Sequence, residues 1–191
     1  MSFRAFVDAQ ILVEARPRDL LLTLAEVGLF EPLWSPLVLE EMQRHLPASV
    51  SEDQKARLII AMNAAFPDAS VEWSGLVDVK VRLSVNEKDR HVVSAAVVGG
   101  ADVVVTEDDD LFRELQSSKI IDAQKLPEFI AYAIDTDQPN ARIALIDMAI
   151  RRWGAADEHD SETRLKAYFA KKGWDPSGLD VGLRPRRPIP W

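Results

Sequence analysis

Residues 103–112, VVVTEDDDLF, constrain the fold of this chain more than any other stretch. Three valines and a threonine, all β-branched, run into four consecutive acids, after which an apolar pair resumes. A short apolar run bounded by polar residues reads as a buried strand, here ending in a mouth of carboxylates. Side-by-side like charges repel, so such a cluster is either neutralised by a cation or fully solvated.

The preceding chain shows what kind of sheet this strand belongs to. Residues 86–100 read as an N-capped helix with acids in its first turn, stopped by Gly99 and Gly100. Helix, glycine pair, strand, acidic loop and helix then follow in order, an alternation that predicts a parallel sheet covered by helices. Residues 3–7 form an apolar strand broken only by Arg4, with Asp8 at its C-terminal end. Ligands of parallel α/β sheets bind outside the carboxyl ends of the strands, which places Asp8 where function is expected.

Helical spacing covers residues 18–27, with Gly28 as a stop, and residues 29–34 form a brief extended piece. Ser35-Pro36 reads as an N-cap followed by proline at the first helical position, opening a helix to about His45. There Leu37 and Glu41 sit four apart and share a face, so Glu41 is the inward member of the Glu40/Glu41 pair. A helix is expected over 53–66, closed by Pro67, with strand-like pieces at 71–73 and 77–79. A short helix at 111–115, a strand at 120–121 and a helix at 125–134 complete the alternation. Beyond a linker at 135–139, segments 141–153 and 161–172 look like a helical hairpin, and 184–191 is a Pro/Arg-rich tail.

Composition limits the chemistry. The chain has 191 residues, no cysteine and three histidines, which excludes disulfides and thiolate sites and leaves Asp, Glu and His as ligands. The net charge of −8 argues at first against a nucleic-acid partner. Its distribution weakens that argument: residues 1–140 carry 13 Lys and Arg against 24 Asp and Glu, and residues 141–191 carry 10 against 7. No apolar run approaches the roughly 18 residues of a membrane span, and the first ten residues read as a strand rather than a leader, so a cytoplasmic protein is expected.

Four places therefore compete for one site: Asp8, Glu41, Asp89, and Asp108 with Asp110. Hard divalent cations such as Mg²⁺ or Mn²⁺ take carboxylate and water oxygens and need neither Cys nor His. Each acid also has a plain reading by itself, as a solvated helix face, a first-turn charge or a helix cap.

FVDAQ at 6–10, WSPLVLEEM at 34–42 and DRHVVSAAVVGGADVVVTEDDDLF at 89–112 together resemble the PIN domains, and within them the VapC-like ribonuclease toxins of toxin–antitoxin modules. The resemblance covers about residues 3–135. It implies a Rossmann-like three-layer α/β/α sandwich with a mostly parallel sheet, the nuclease domain at 1–135 and a helical extension with its tail at 136–191. It also implies an endoribonuclease dependent on Mg²⁺ or Mn²⁺, in which metal-activated water hydrolyses RNA phosphodiester bonds. Carried over position by position, Asp8, Glu41, Asp89 and Asp108 would bind metal, Asp110 would be a further acid, and Thr106 would position the acidic loop. The partners implied are an RNA substrate, a cognate antitoxin and a second copy in a homodimer, with no membrane.

Position 10 departs from the family, which more often has Asn or Ser there; Gln10 is a longer amide beside Asp8. That departure supports an alternative reading, a catalytically weak PIN-like module that binds protein or RNA. A phospho-acceptor domain is a third reading, but the lysine it requires has no evident place. Alternation from Thr106 predicts that Asp108 and Asp110 point together and Asp109 away. Trp153, Trp174 and Trp191, near Arg151, Arg152 and the tail arginines, could stack on unpaired bases or pack helices.

Overall fold

The computed structural model describes residues 3–72 and 78–174. These divide into two units: one built from the chain up to Arg18 and from Phe30 to Leu126, the other from Asp19–Leu29 and the chain from Pro127 onward.

In the first unit, β1 (Arg4–Val7), β2 (Glu31–Leu33), β3 (Val103–Val105) and β4 (Asp122–Gln124) form a parallel sheet in the order β2-β1-β3-β4. All three valines of β3 are buried, as an apolar run between covering helices must be. Phe6 lies level with Leu33 on one side and Val104 on the other, and Val105 with Gln124. The ladder continues one residue past each central strand: the Asp8 N–H donates to the Val105 carbonyl and the Thr106 N–H to the Gln124 carbonyl, each at 3.1 Å. Asp8 and Thr106 thus leave the sheet at the same rim.

The helices follow their caps. After α1 (Ala9–Val13) and α2 (Ala15–Glu26), α3 (Pro36–His45) is capped by Ser35, whose Oγ accepts the Val38 N–H at 3.3 Å. A reciprocal box between Ser51 and Gln54 opens α4 (Glu52–Ala65). α5 (Val79–Ser84) leads through a 3₁₀ turn at Glu87–Asp89 into α6 (Arg90–Val98). The two glycines after α6 serve different purposes. A Cβ at Gly99 would lie 2.7 Å from Val71 Cγ2, so a side chain does not fit, whereas Gly100 adopts φ +64°. α7 (Asp109–Ser118) ends at Lys119, which adopts φ 51°.

Several boundaries differ from the sequence expectation. The last strand lies at 122–124 because 120–121 are spent turning out of α7 before β4 meets β3 in register. Asn86 makes no side-chain cap; its backbone N–H and Nδ2 donate to Glu114 instead, and the helix proper starts at Arg90. Trp34 and Ser70 form an isolated parallel bridge, Val79 is helical, and residues 73–77 of the expected strand pieces lie outside the described residues.

The second unit holds most of α2 with α8 (Leu126–Thr136), α9 (Gln138–Trp153) and α10 (Glu158–Lys171). The expected linker shrinks to a cap: Asp137 accepts the Asn140 N–H at 3.2 Å, with a proline in the first turn of α9. α9 and α10 form the expected hairpin, joined by Arg142, which pairs with Glu158 and Glu162, and by Ser161 Oγ, which donates to the Ile146 carbonyl of α9 at 3.4 Å. Trp153 Nε1 donates to Asp19, and Trp174 stacks on Phe169 with ring centroids 5.7 Å apart. Both tryptophans are thus used in packing, while Trp191 and the tail at 184–191 lie outside the described residues. No described helix is long and apolar enough to cross a membrane.

Candidate active site

Asp8 is the pivot of the sheet rim. It caps α1, its Oδ1 accepting the Ala9 N–H at 2.7 Å, and its Oδ2 accepts the Thr106 hydroxyl at 2.6 Å. It is only 6% exposed. Burial pushes its carboxyl above the usual carboxylate range; the bonds from Thr106 and Ala9 oppose this, and the charges of Glu41 and Asp108 add to it.

Thr106, fully buried, works in both directions. Its hydroxyl donates to Asp8 and accepts the Asp108 N–H at 3.1 Å, tying the end of β1 to the acidic loop. Asp108 in turn caps α7, with Oδ1 accepting the N–H groups of Asp110 and Leu111 at 2.8 and 2.9 Å. The bond from Leu111 is the main reason its carboxyl titrates below the usual range. Thr106→Val keeps the shape but orphans one Asp8 oxygen and the Asp108 N–H, an expected cost of about 1–3 kcal/mol, read by urea unfolding. Stability equal to wild type would show that the hydroxyl bridge is not needed.

Asp89 ends the 3₁₀ turn and precedes α6. Its Oδ2 is buried and accepts no hydrogen bond. Desolvation raises its carboxyl above the usual range; Lys88 opposes, and the charges of Asp108, Glu114 and Asp8 add. Lys88 reaches across the loop: its Nζ lies 3.6 Å from Asp89 Oδ2 and 3.3 Å from Asp108 Oδ2.

Glu41 is half-buried and Glu40 exposed, as the spacing on α3 predicts, although Leu37 on the same face is 40% exposed. Glu41 Oε2 lies 3.8 Å from His91 Nε2. Asp110 is different. It sits inside the first turn of α7, mostly exposed, and pairs with Arg113 at 2.5 Å, because the backbone has turned helical by Asp109 and strand alternation no longer sets direction. Its neighbours are also engaged rather than merely solvated. Asp109 pairs with Lys125 at 2.8 Å, and Glu107 Oε1 accepts the Leu126 N–H at 2.9 Å. Gln10 is exposed on α1.

Asp8 therefore feels the charges of Glu41 and Asp108, and Asp89 those of Asp8 and Asp108, while Asp110 is held by its own arginine. Reading the sequence overlooked Lys88 and Glu114, because only the fold brings the turn before α6 against α7. The donor set suits a hard divalent ion: all oxygens, with the buried Asp89 Oδ2, which accepts no hydrogen bond, among them. Among the described residues no three His, Asp or Glu side chains stand close enough together to hold an ion, so binding requires the carboxylates to close in.

No curated protein and no solved structure matches the chain. A family model described as PIN domain matches residues 4–110. The matched span runs from β1 through Asp8, Glu41 and Asp89 to Asp110, more than half of the chain, and the protein accordingly belongs to the PIN domain family, a superfamily of nucleases.

Proposed function

We propose that this protein is a metal-dependent endoribonuclease, the VapC-like toxin of a toxin–antitoxin module. The observation that carries the reading is the buried Asp89 Oδ2, which accepts no hydrogen bond, meets Lys88 only at 3.6 Å, and feels the charges of Asp108 and Asp8. A buried carboxylate oxygen without a donor is costly unless a cation satisfies it. In this reading Asp8, Glu41, Asp89 and Asp108 hold Mg²⁺ or Mn²⁺, and Asp110 supports the loop they share. The bound ion supplies a water of lowered pKa and neutralises charge on the phosphate, which lets polyanionic RNA approach an acidic rim. Thr106 keeps Asp8 and Asp108 in register, and the products are a 5′-phosphate and a 3′-hydroxyl.

The chemistry belongs to the nuclease domain at 1–135; the helical extension at 136–191 serves a partner or a second copy in a homodimer. An antitoxin holds the activity in check by inserting an Arg or Lys among the acids. In a cleavage assay on single-stranded RNA, wild type is expected to cut with Mn²⁺ or Mg²⁺ and to stop with EDTA. Asp89→Asn is expected to lose at least ~100-fold, the upper end of what losing even an outer-shell partner of a metal ligand costs. Equal cutting by wild type and Asp89→Asn removes the assignment. A catalytically weak binding module is the second reading, favoured by the need for the carboxylates to close in before an ion fits. Mn²⁺ titration that shows no binding selects it.

A further inference from the structure

Lys88 belongs to neither the fold's core nor the acid set, yet it touches both sides of the candidate site. Its side chain is 58% exposed, so burial does not force the ammonium onto the acids. It instead reaches Asp108 Oδ2 at 3.3 Å and Asp89 Oδ2 at 3.6 Å, joining a carboxylate from the turn before α6 to one from the cap of α7. An exposed lysine side chain is ordinarily free in solvent, and holding it in one place costs rotamer entropy. Something must offset that cost, and the two carboxylates are the groups in contact. Asp89 Oδ2 accepts no hydrogen bond, so the ammonium is the cation nearby that balances it. The other ammonium beside the acidic loop, Lys125, is directed elsewhere: it donates to the Glu107 carbonyl and Asp109 and lies 5.1 Å from the Phe112 ring centroid.

We propose that Lys88 is a built-in counter-cation of the site, holding Asp89 and Asp108 together until a divalent ion displaces it and competing with that ion for the same oxygens. The inference rests on the metal-site reading above and adds a regulatory element to it. A monovalent ammonium on a flexible tether keeps the carboxylates from repelling one another, so the rim stays folded without the ion. The same contact weakens metal binding, because the ion must displace an ammonium whose effective concentration is fixed by its tether. Binding is therefore shifted to higher divalent concentration: at low concentration the acids remain paired with Lys88, and at high concentration the lysine is released to solvent.

The test uses the full chain. Calorimetric titration with Mn²⁺ compares wild type, Lys88→Met, Lys88→Arg and, as a control for the same change of charge, Lys119→Met at the far end of α7. Melting in EDTA is measured alongside. Lys88→Met is expected to bind Mn²⁺ about 3–10-fold tighter and to melt lower than wild type in EDTA, with the deficit closing as Mn²⁺ is added. Lys88→Arg and Lys119→Met are expected within about twofold of wild type. Mn²⁺ binding by Lys88→Met that is unchanged or weaker overturns the counter-cation while leaving the metal site standing. An equal gain in affinity for Lys119→Met also overturns it, since a general field rather than competition then accounts for the effect. Failure of every protein to bind Mn²⁺ overturns the metal-site reading and this inference with it.

Discussion

Asp8→Asn is expected to abolish nuclease activity, by at least ~100-fold, and yet to give a protein that melts higher than wild type in EDTA. The two effects have one cause. Asp8 is 6% exposed and lies within reach of the charges of Glu41 and Asp108, so its ionised form is held in the fold at a cost in desolvation and repulsion. Asparagine removes the charge and keeps one bond while reversing the other. Its Oδ1 can still accept the Ala9 N–H, and its Nδ2 can donate to the Thr106 hydroxyl, whose own proton then loses its acceptor, a cost set against the relieved desolvation and repulsion. The gain is expected to be about 0.5–2 kcal/mol, the usual size of a stabilising substitution at a functional position, or ~2–6 °C.

The pH dependence follows from the direction of the shift. A carboxyl raised above its usual range binds its proton more tightly in the folded than in the unfolded chain, so stability falls as pH rises through the raised value. The contribution of Asp8 is fully present below the ordinary carboxylate range and is lost above it. Wild type and Asp8→Asn are therefore expected to melt alike at acidic pH and to separate as pH rises toward neutrality. Mn²⁺ should reverse the order, raising the wild-type melting temperature without moving that of the variant. Variant and wild type separated by the same amount at every pH would detach the effect from the Asp8 charge; a variant that still cuts RNA would remove Asp8 from the site.

Much of this arrangement was legible because it is local. Val103–Val105 announces a buried strand by composition, and Ser35-Pro36 announces the start of α3 by cap chemistry, from which Glu41 follows by helical spacing. Asp8 and Asp108 follow from strand ends, since a parallel sheet turns every C-terminal end to one rim. What was not legible depends on where the chain turns. Strand alternation paired Asp108 with Asp110 only as long as the backbone stayed extended, and it turns helical at Asp109 because Asp108 itself caps α7. The engagement of Glu107, Asp109 and Lys125 depends on β4 returning beside β3, a contact across 16 or more residues that no local pattern encodes. Lys88 was hidden for the same reason: in sequence it is one basic residue among several, and only the approach of Asn86 to Glu114 swings its turn over Asp108.

The largest expected loss of stability comes from Trp34→Ala, about 3–5 kcal/mol, the range for deleting a buried aromatic, or roughly 10 °C in melting temperature. Trp34 is fully buried at the end of β2, its indole N–H donating to Asn63 Oδ1 at 3.2 Å and its ring meeting Phe66 edge-on with centroids 5.8 Å apart. Its backbone does separate work: the N–H donates to the Ala69 carbonyl at 2.9 Å and the carbonyl accepts the Val71 N–H at 2.8 Å, stitching the segment after α4 to the edge of the sheet. Alanine keeps those backbone bonds and removes the ring together with its hydrogen bond to Asn63, so the cost is that of the side chain and not of the backbone stitching. The next residue is Ser35, the cap of α3, and Glu41 stands less than two turns into that helix. A cavity beside the cap loosens the helix that presents Glu41, so Trp34→Ala should also weaken Mn²⁺ binding under conditions where the variant is fully folded. Trp34→Phe refills most of the space, and its expected loss is under half as large in both measurements. If Trp34→Ala melts within 3 °C of wild type, the ring is not the wedge between α4 and the sheet. If stability falls while Mn²⁺ affinity stays put, α3 is held by its Ser35 cap and not by the tryptophan behind it.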